Sequence, residues 1–461
     1  MKLAFATILL VTTATLHAQS PDWPPTLDPN NPTPQSTTEP ARKIERYTHG
    51  PRPQWGYPDT AGADWAYHAP RETGAELQNH NTFYVVSPSH PADNLPLYVV
   101  LHSANRTGYD YMAFGFLDRK IDKSDDPSTT MTNVPDGFYA LYLSSTNAEW
   151  WGWSAAQKNQ SQHSEAPPPA ELRVLDTIDW VATKYHIDRN RIYLGGVSMG
   201  GNGTLGIGMH HGDIFAAIRA TVPAGTNFAS YSMGQFAPSP AIASTPEERA
   251  AWITHVSANH RPDPPVTLDF SSPNDGWSTS QPALLTASQY GRLPLILTWG
   301  PFGHATFGSL IAKTPICQIG LAFPWLDIRK DEPYPVFTAS TIDQHSPWLN
   351  TPADFDSAGQ INAYLRWKNQ LDTPTTFAID LWIAHPTVPN PPPMPTTATT
   401  DVTLRRLQHF HPQPNQTYTW QLTQNNTPIA SGTVTPDAAN LITIPRLNLT
   451  TTPATLTLKS R

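Results

Sequence analysis

The sequence predicts an α/β unit, built on a mostly parallel sheet with helices on both faces, followed by a C-terminal β-sandwich. Three observations carry this. Between about residues 80 and 330, short apolar runs alternate with stretches of helical spacing, the signature of a parallel sheet with crossover helices. At Arg191-Ile192-Tyr193-Leu194-Gly195-Gly196-Val197-Ser198-Met199-Gly200-Gly201, an apolar strand runs through a G-x-S-x-G turn into a helix extending towards His210. Beyond Asp331 the pattern changes to short alternating stretches separated by turn-rich segments, with no convincing helix.

Residues 1–18 read as a secretory leader. Lys2 supplies the positive start, Leu3 to Ala14 the apolar run and Leu16-His17-Ala18 the small-residue cleavage site. The apolar run is well short of the roughly 20 residues a membrane span needs, so no span is expected and the location implied is secreted or periplasmic. Residues 19–43 are Pro, Thr, Asn and Asp with little to bury, and are expected to be a flexible linker. The α/β unit then occupies 44–330, with strands at Thr82 to Val86, Leu97 to Leu101 and Phe138 to Ser144. A helix from Ala170 to Tyr185 places Leu175, Ile178, Val181, Ala182 and Tyr185 on one face. After the serine turn come a strand near Ile214 to Ala220, a capped helix opening at Ser244-Thr245-Pro246, and strands at Val266 to Ser271 and Leu293 to Trp299. In the sandwich, 331–461, strands are expected at Ile361 to Trp367, Thr376 to Ile383, Val402 to Leu407, Thr417 to Leu422, Leu441 to Ile444 and Ala454 to Leu458, with Pro386 to Pro395 as a surface connection.

Composition narrows the function classes. The chain has 461 residues, 49 of them proline, with 14% charged residues and a formal net charge of -8. It therefore offers no basic field for nucleic acid. Cys317 is the only cysteine, so stability rests on core packing and not on disulfides. There is no H-E-x-x-H, no paired-cysteine spacing and no glycine-rich phosphate loop, and neither a metal nor a cofactor is expected. His210-His211 and His409-x-His411 read as surface histidines.

The G-x-S-x-G turn makes Ser198 the candidate nucleophile. Glycines two before and two after it let strand and helix pass closely. The Met199 amide, at the positive end of the following helix, can point at an oxyanion formed beside Ser198. A serine hydroxyl needs an imidazole within hydrogen-bond reach and an acid to orient it. Of 17 histidines, His304 is best placed, a short glycine-bearing loop beyond the last strand of the unit. Asp275, just past the carboxyl end of the Val266 strand, is the preferred acid over Asp269, inside the strand, and Asp263, before it. A second oxyanion amide is expected from the loop His102-Ser103-Ala104-Asn105, with Ala104 the named residue. Trp150, Trp151, Trp153 and Trp277 are candidate aromatics for a substrate site.

These segments carry a resemblance. "LPLYVVLHSAN", "IDWVATKYHIDRNRIYLGGVSMGG", "GDIFAAIRATVPAG" and "GPFGHATF" resemble, in order, segments of the secreted α/β-hydrolases of the esterase D, feruloyl esterase and polyhydroxybutyrate depolymerase group, over residues 80 to 310. The order Ser198, Asp275, His304 is the family order. The family usually has His-Gly where this chain has His102-Ser103. The resemblance implies a serine carboxylic-ester hydrolase acting through an acyl-serine, on polysaccharide-linked acyl or feruloyl esters or on polyesters. The alternatives are a serine peptidase on the same fold and a non-catalytic glycan-binding protein.

Overall fold

The computed structural model describes residues 25–27, 40–49, 82–104, 106–117, 134–144, 150, 169–224, 263–278, 281–304, 307–344 and 357–460. The strands of its first part are β1 (Thr26–Leu27), β2 (Ile44–Thr48), β3 (Thr82–Val86), β4 (Leu97–Leu101), β5 (Tyr139–Leu143), β6 (Ile192–Val197), β7 (Ala217–Thr221), β8 (Val266–Ser271) and β9 (Leu295–Trp299). Then follow β10 (Tyr334–Thr338) and β11 (Gly359–Ile361). Ten of these form one sheet in the order β1-β2-β3-β5-β4-β6-β7-β8-β9-β11. The centre, β5 to β9, is parallel, and β1, β2, β3 and β11 add antiparallel edges.

The central strands are buried along their whole length because both faces are covered. Alternate residues of β4 divide between two cores. Val99 and Leu101 join Phe83, Leu141 and Leu194 beneath helix α2 (Pro169–Lys184), which contributes Val174, Ile178, Val181 and Ala182. Tyr98 and Val100 face the other way, towards Met112 and Phe116 of helix α1 (Gly108–Phe116) and Ile316 and Ile319 of the helix Pro315–Leu321. Helix α1 starts at a capping box, in which the Thr107 hydroxyl accepts the Asp110 amide and the Asp110 carboxylate accepts the Thr107 amide. The helix expected at Ser244 lies outside the described residues, as do leader residues 1–18.

The C-terminal strands are β12 (Leu365–Asp372), β13 (Thr376–Ile383), β14 (Thr397–Arg405), β15 (Tyr418–Gln424), β16 (Thr427–Val434), β17 (Thr443–Thr450) and β18 (Ala454–Ser460). They make two antiparallel sheets, β10-β14-β17 and β12-β13-β18-β15-β16. The inward residues of both sheets, among them Val336, Val402, Ile444, Ile379, Leu422 and Leu456, share one core, as a sandwich requires. Residues 386–395 carry no regular structure, in keeping with a surface connection.

Two boundaries differ from those the sequence predicts. Part of the stretch 19–43 is ordered against the sheet: Thr26–Leu27 pairs with β2, and buried Arg42 donates to the carbonyls of Ser87 and Val134 at 2.9 Å each. Two residues, one polar and one apolar, in a proline-rich run give too little periodicity to be seen. The division at 331 is also not clean, because β11 returns to the first sheet and pairs with β9. The single strand expected at Ile361 to Trp367 is therefore two. It breaks at Asn362, whose φ of 59° no strand accommodates and whose side-chain amide donates to the carbonyls of Leu295 and Phe337. The sandwich is further tied down by Asp263, which accepts from Arg405 Nη1 at 2.9 Å and from the Arg406 amide at 2.6 Å.

Candidate active site

All six residues of β6 are buried, so the chain leaves it at a fixed point. Ser198 follows immediately with φ 55° and ψ -115°, a strained conformation for a residue with a side chain. Two backbone hydrogen bonds hold it. The Ser198 amide donates to Thr221 O at the end of β7, and the Asn202 amide donates to Ser198 O, opening helix α3 (Met199–Gly208). The flanking glycines are required by close approach. A Cβ on Gly196 would stand 2.3 Å from Gly200 O, and one on Gly200 would stand 2.0 Å from Leu101 O.

The residues predicted from three distant segments meet here. Ser198 Oγ lies 2.7 Å from His304 Nε2, and His304 Nδ1 lies 2.8 Å from Asp275 Oδ2. An ionised carboxylate can only accept, so Nδ1 carries the proton donated to Asp275 and Nε2 offers its lone pair to the serine hydroxyl. The second carboxylate oxygen, Oδ1, accepts the Trp277 amide at 2.9 Å. The Asp275 side chain is 2% exposed and that of His304 39%; the acid is sheltered while the imidazole faces an approaching molecule. Trp277 is half-buried, its ring centroid 5.9 Å from that of His304. Trp151 and Trp153 lie outside the described residues.

Neither rival acid reaches His304. Asp263 belongs to the tie with the sandwich, and Asp269 accepts from Ser271 Oγ and from Gln281 Nε2 at 2.8 Å. Burial pushes the Asp269 carboxyl up to about 6, with the two hydrogen bonds acting in the opposite direction. The folded protein thus binds this proton more tightly than the unfolded chain, whose carboxyl titrates near 3.9. The resulting stabilisation is complete below about pH 4 and is lost as pH rises through about 6. Asp269→Asn, whose amide can still serve Ser271 and Gln281, is expected to remove this dependence. In urea titrations the stability of the variant relative to the parent should be about 2 to 3 kcal/mol more favourable at pH 7 than at pH 4. A difference that does not vary with pH would show that Asp269 does not titrate in this range.

Sequence reasoning missed the clasp joining the two loops that carry Asp275 and His304. The Gly303 amide donates to both Ser272 Oγ and Asn274 Oδ1, each at 2.9 Å, while Ser272 Oγ lies 2.7 Å from Gly300 O. Gly303 has φ +60°, which turns the chain so that His304 faces back across the acid loop. The run Ser271-Ser272-Pro273-Asn274 carries turn chemistry, but its partner lies about thirty residues away and no local signal names it.

At the opposite wall, the first helical residue Met199 is buried, and its amide has no intrahelical acceptor because it belongs to the first turn. Ala104 is exposed in the loop after β4. This loop is braced from within. Buried Trp150 donates its indole N–H to His102 O at 2.8 Å, and its ring lies 4.8 Å from the His102 ring. A Cβ on Gly203 would stand 2.5 Å from Trp150 Cβ. Trp150, read as a candidate substrate aromatic, is instead part of the core. The expectation for His211 also needs correction. Glu171 from α2 accepts from its Nε2 at 2.6 Å, and Asp213 lies 3.6 Å from its Nδ1. Burial opposes the charge on this imidazole, but the two carboxylates outweigh it and hold the pKa up to about 9. His409 and His411 are exposed as expected. Among the described residues no group of His, Cys, Asp or Glu has a metal-binding arrangement, and no helix is long and apolar enough to cross a membrane.

The strand order, with antiparallel β3 joined through β5 to the parallel run, and the strand–serine–helix turn at the end of β6 define an α/β-hydrolase fold. No protein-family profile matches the chain, and no curated protein matches it in sequence. Among solved structures it is similar to an acetyl xylan esterase from Aspergillus awamori, with 18% identity over 44% of this chain and 74% of that one and a TM-score of 0.32. It is also similar to a substrate-bound fluorophosphonate-binding serine hydrolase of Staphylococcus aureus, with 15% identity over 55% and 95% of the two chains and a TM-score of 0.37. A ferulic acid esterase gives 14% identity over 59% and 96%, with a TM-score of 0.34. At such overlaps the fold assignment rests on the strand order and the serine turn.

Proposed function

We propose that this protein is a secreted serine esterase that hydrolyses carboxylic esters through an acyl-serine intermediate. The observation that carries the proposal is the unbroken hydrogen-bonded line from Ser198 Oγ through the His304 ring to the sheltered Asp275 carboxylate. His304 Nε2 takes the hydroxyl proton as Ser198 Oγ attacks the ester carbonyl. Asp275 holds the imidazole in the competent tautomer and stabilises the imidazolium that forms. The amides of Met199 and Ala104 receive the oxyanion. His304 then returns the proton to the departing alcohol, deprotonates a water that attacks the acyl-serine, and returns that proton to Ser198 as the acid leaves. The candidate substrates are polysaccharide-linked acyl and feruloyl esters and polyesters. The secreted location is part of the proposal and is supported by the leader read in the sequence at residues 1–18.

The test combines a fluorophosphonate probe with a substrate panel. The probe is expected to give one covalent adduct, mapped by mass spectrometry to the peptide containing Ser198. Turnover is expected on acetyl, feruloyl or hydroxyalkanoate esters and not on short peptides. Peptide cleavage exceeding ester cleavage would make the protein a peptidase, and an unlabelled, inactive protein would remove the enzymatic reading.

A further inference from the structure

A cleft of about 310 Å³ opens between residues 323–333 and strand β12, within the size range of small-molecule sites. It is remote from Ser198. The turn at residues 325–328 is fixed to the amino end of β6, where Tyr193 Oη donates to Leu326 O and Ile328 O at 2.6 and 2.8 Å. Ser198 follows the carboxyl end of the same strand, about 17 Å further along at the usual rise per residue.

The wall of the cleft combines aromatic and hydrogen-bonding groups. Trp367 and Asn369, two apart on β12, share a face of the strand. The Trp367 ring is half-buried, 5.8 Å from that of Phe323. The Arg366 guanidinium lies 4.3 Å over the Phe323 ring. Arg366 is 6% exposed, and its Nη1 donates to the carbonyls of Ala363 and Leu365 while its Nη2 is buried without a protein partner. Asn369 Nδ2 donates to Pro333 O, while its Oδ1 is also buried without a partner. Both of these orphan atoms are shielded from solvent and out of a ligand's reach, so a ligand in the cleft has to donate to the exposed carboxylates of Asp327 and Glu332 and accept from the exposed Lys368 ammonium. A hydroxyl group can do both, since it donates one proton and offers two lone pairs.

The charges decide the class of ligand further. Asp327 and Glu332 line the same cleft as Arg366 and Lys368, two acids against two bases, so the lining has no net formal charge to attract a polyanion or a polycation. An uncharged molecule rich in hydroxyls, with a flat C–H face to lie on an indole, meets all these features. We infer that the cleft between residues 323–333 and β12 is a binding site for a neutral oligosaccharide, with Trp367 as the stacking platform. The inference does not depend on the esterase reading. Because the cleft and Ser198 lie at opposite ends of β6, an oligosaccharide held there leaves turnover of a small soluble ester unaffected.

The test is calorimetric titration of the full-length protein with cellohexaose, xylohexaose and mannohexaose, alongside a hexamer of galacturonic acid. At least one neutral hexaose is expected to bind, Trp367→Ala to weaken it about tenfold or more, as loss of a stacking face should, and Glu332→Ala to weaken it less. Hydrolysis of a small soluble ester should be unchanged in both variants. Trp367 packs on Phe323, so should its alanine variant misfold, exposed Glu332→Ala and Lys368→Ala decide in its place. No binding of any neutral hexaose at millimolar concentration, binding indifferent to these substitutions, or preference for the acidic hexamer would each overturn the inference.

Discussion

Ser198→Ala is expected to lower kcat on a small activated ester by roughly 10⁴-fold or more while leaving the thermal midpoint within a few degrees of the parent. The Oγ removed makes the 2.7 Å contact with His304, and among the described residues no other hydroxyl lies within hydrogen-bond reach of that nitrogen. The strain at position 198 lies in the backbone and is held by the Thr221 and Asn202 hydrogen bonds, so alanine inherits the conformation. Serine, imidazole and carboxylate act as one unit, and the losses should not add. Ser198→Ala combined with His304→Ala should be no slower than Ser198→Ala alone within a few-fold. Residual catalysis above the background reaction would come from the oxyanion donors. A single Ser198→Ala variant retaining a tenth of the parental kcat would identify another nucleophile.

That the three residues meet was legible in the sequence because each lies just beyond the carboxyl end of a strand that its own composition reveals. The Val266 to Ser271 strand was read to the residue, and β4 likewise, since β4 is apolar throughout and β8 places Val266, Leu268 and Phe270 at every second position. Strands β14 to β18 were legible only in part. β16 has no buried face along most of its length, so it has no alternation to read, and β10 was not anticipated. The return of β11 to the first sheet was not legible either, because three residues have no period and their partner is β9, some sixty residues earlier. The same limit applies to the site. Ser198, Asp275 and His304 announce themselves by local context, whereas Ser272, Asn274 and Trp150 matter through contacts with segments far along the chain. A tryptophan in sequence does not disclose whether it faces a ligand or, as Trp150 does, fills the space between a loop and a helix.

Gly200→Ala is expected to be the most damaging single-methyl change around the serine turn, and it separates packing from chemistry. The added Cβ would stand 2.0 Å from Leu101 O and 2.9 Å from His102 O. Both are backbone atoms at the end of β4, so no side-chain rotation relieves the clash, and helix α3 and the β4 loop must move apart. Overpacking of this kind costs about 1 to 3 kcal/mol and can exceed it. The displacement also falls between the two proposed oxyanion donors, because Met199 precedes Gly200 and Ala104 follows His102 by two residues. Loss of one such donor lowers kcat about 10² to 10³-fold. Both stability and kcat should therefore fall, with any folded Gly200→Ala protein still labelled by fluorophosphonate more slowly than the parent. Gly276→Ala is the control: it adjoins Asp275, but its Cβ would meet nothing within 4 Å, and denaturant midpoint and kcat should both stay near the parental values. If Gly200→Ala matched that control in both measurements, helix α3 could not be packed against the end of β4 as described, and the amide of Met199 would have no fixed position from which to receive an oxyanion.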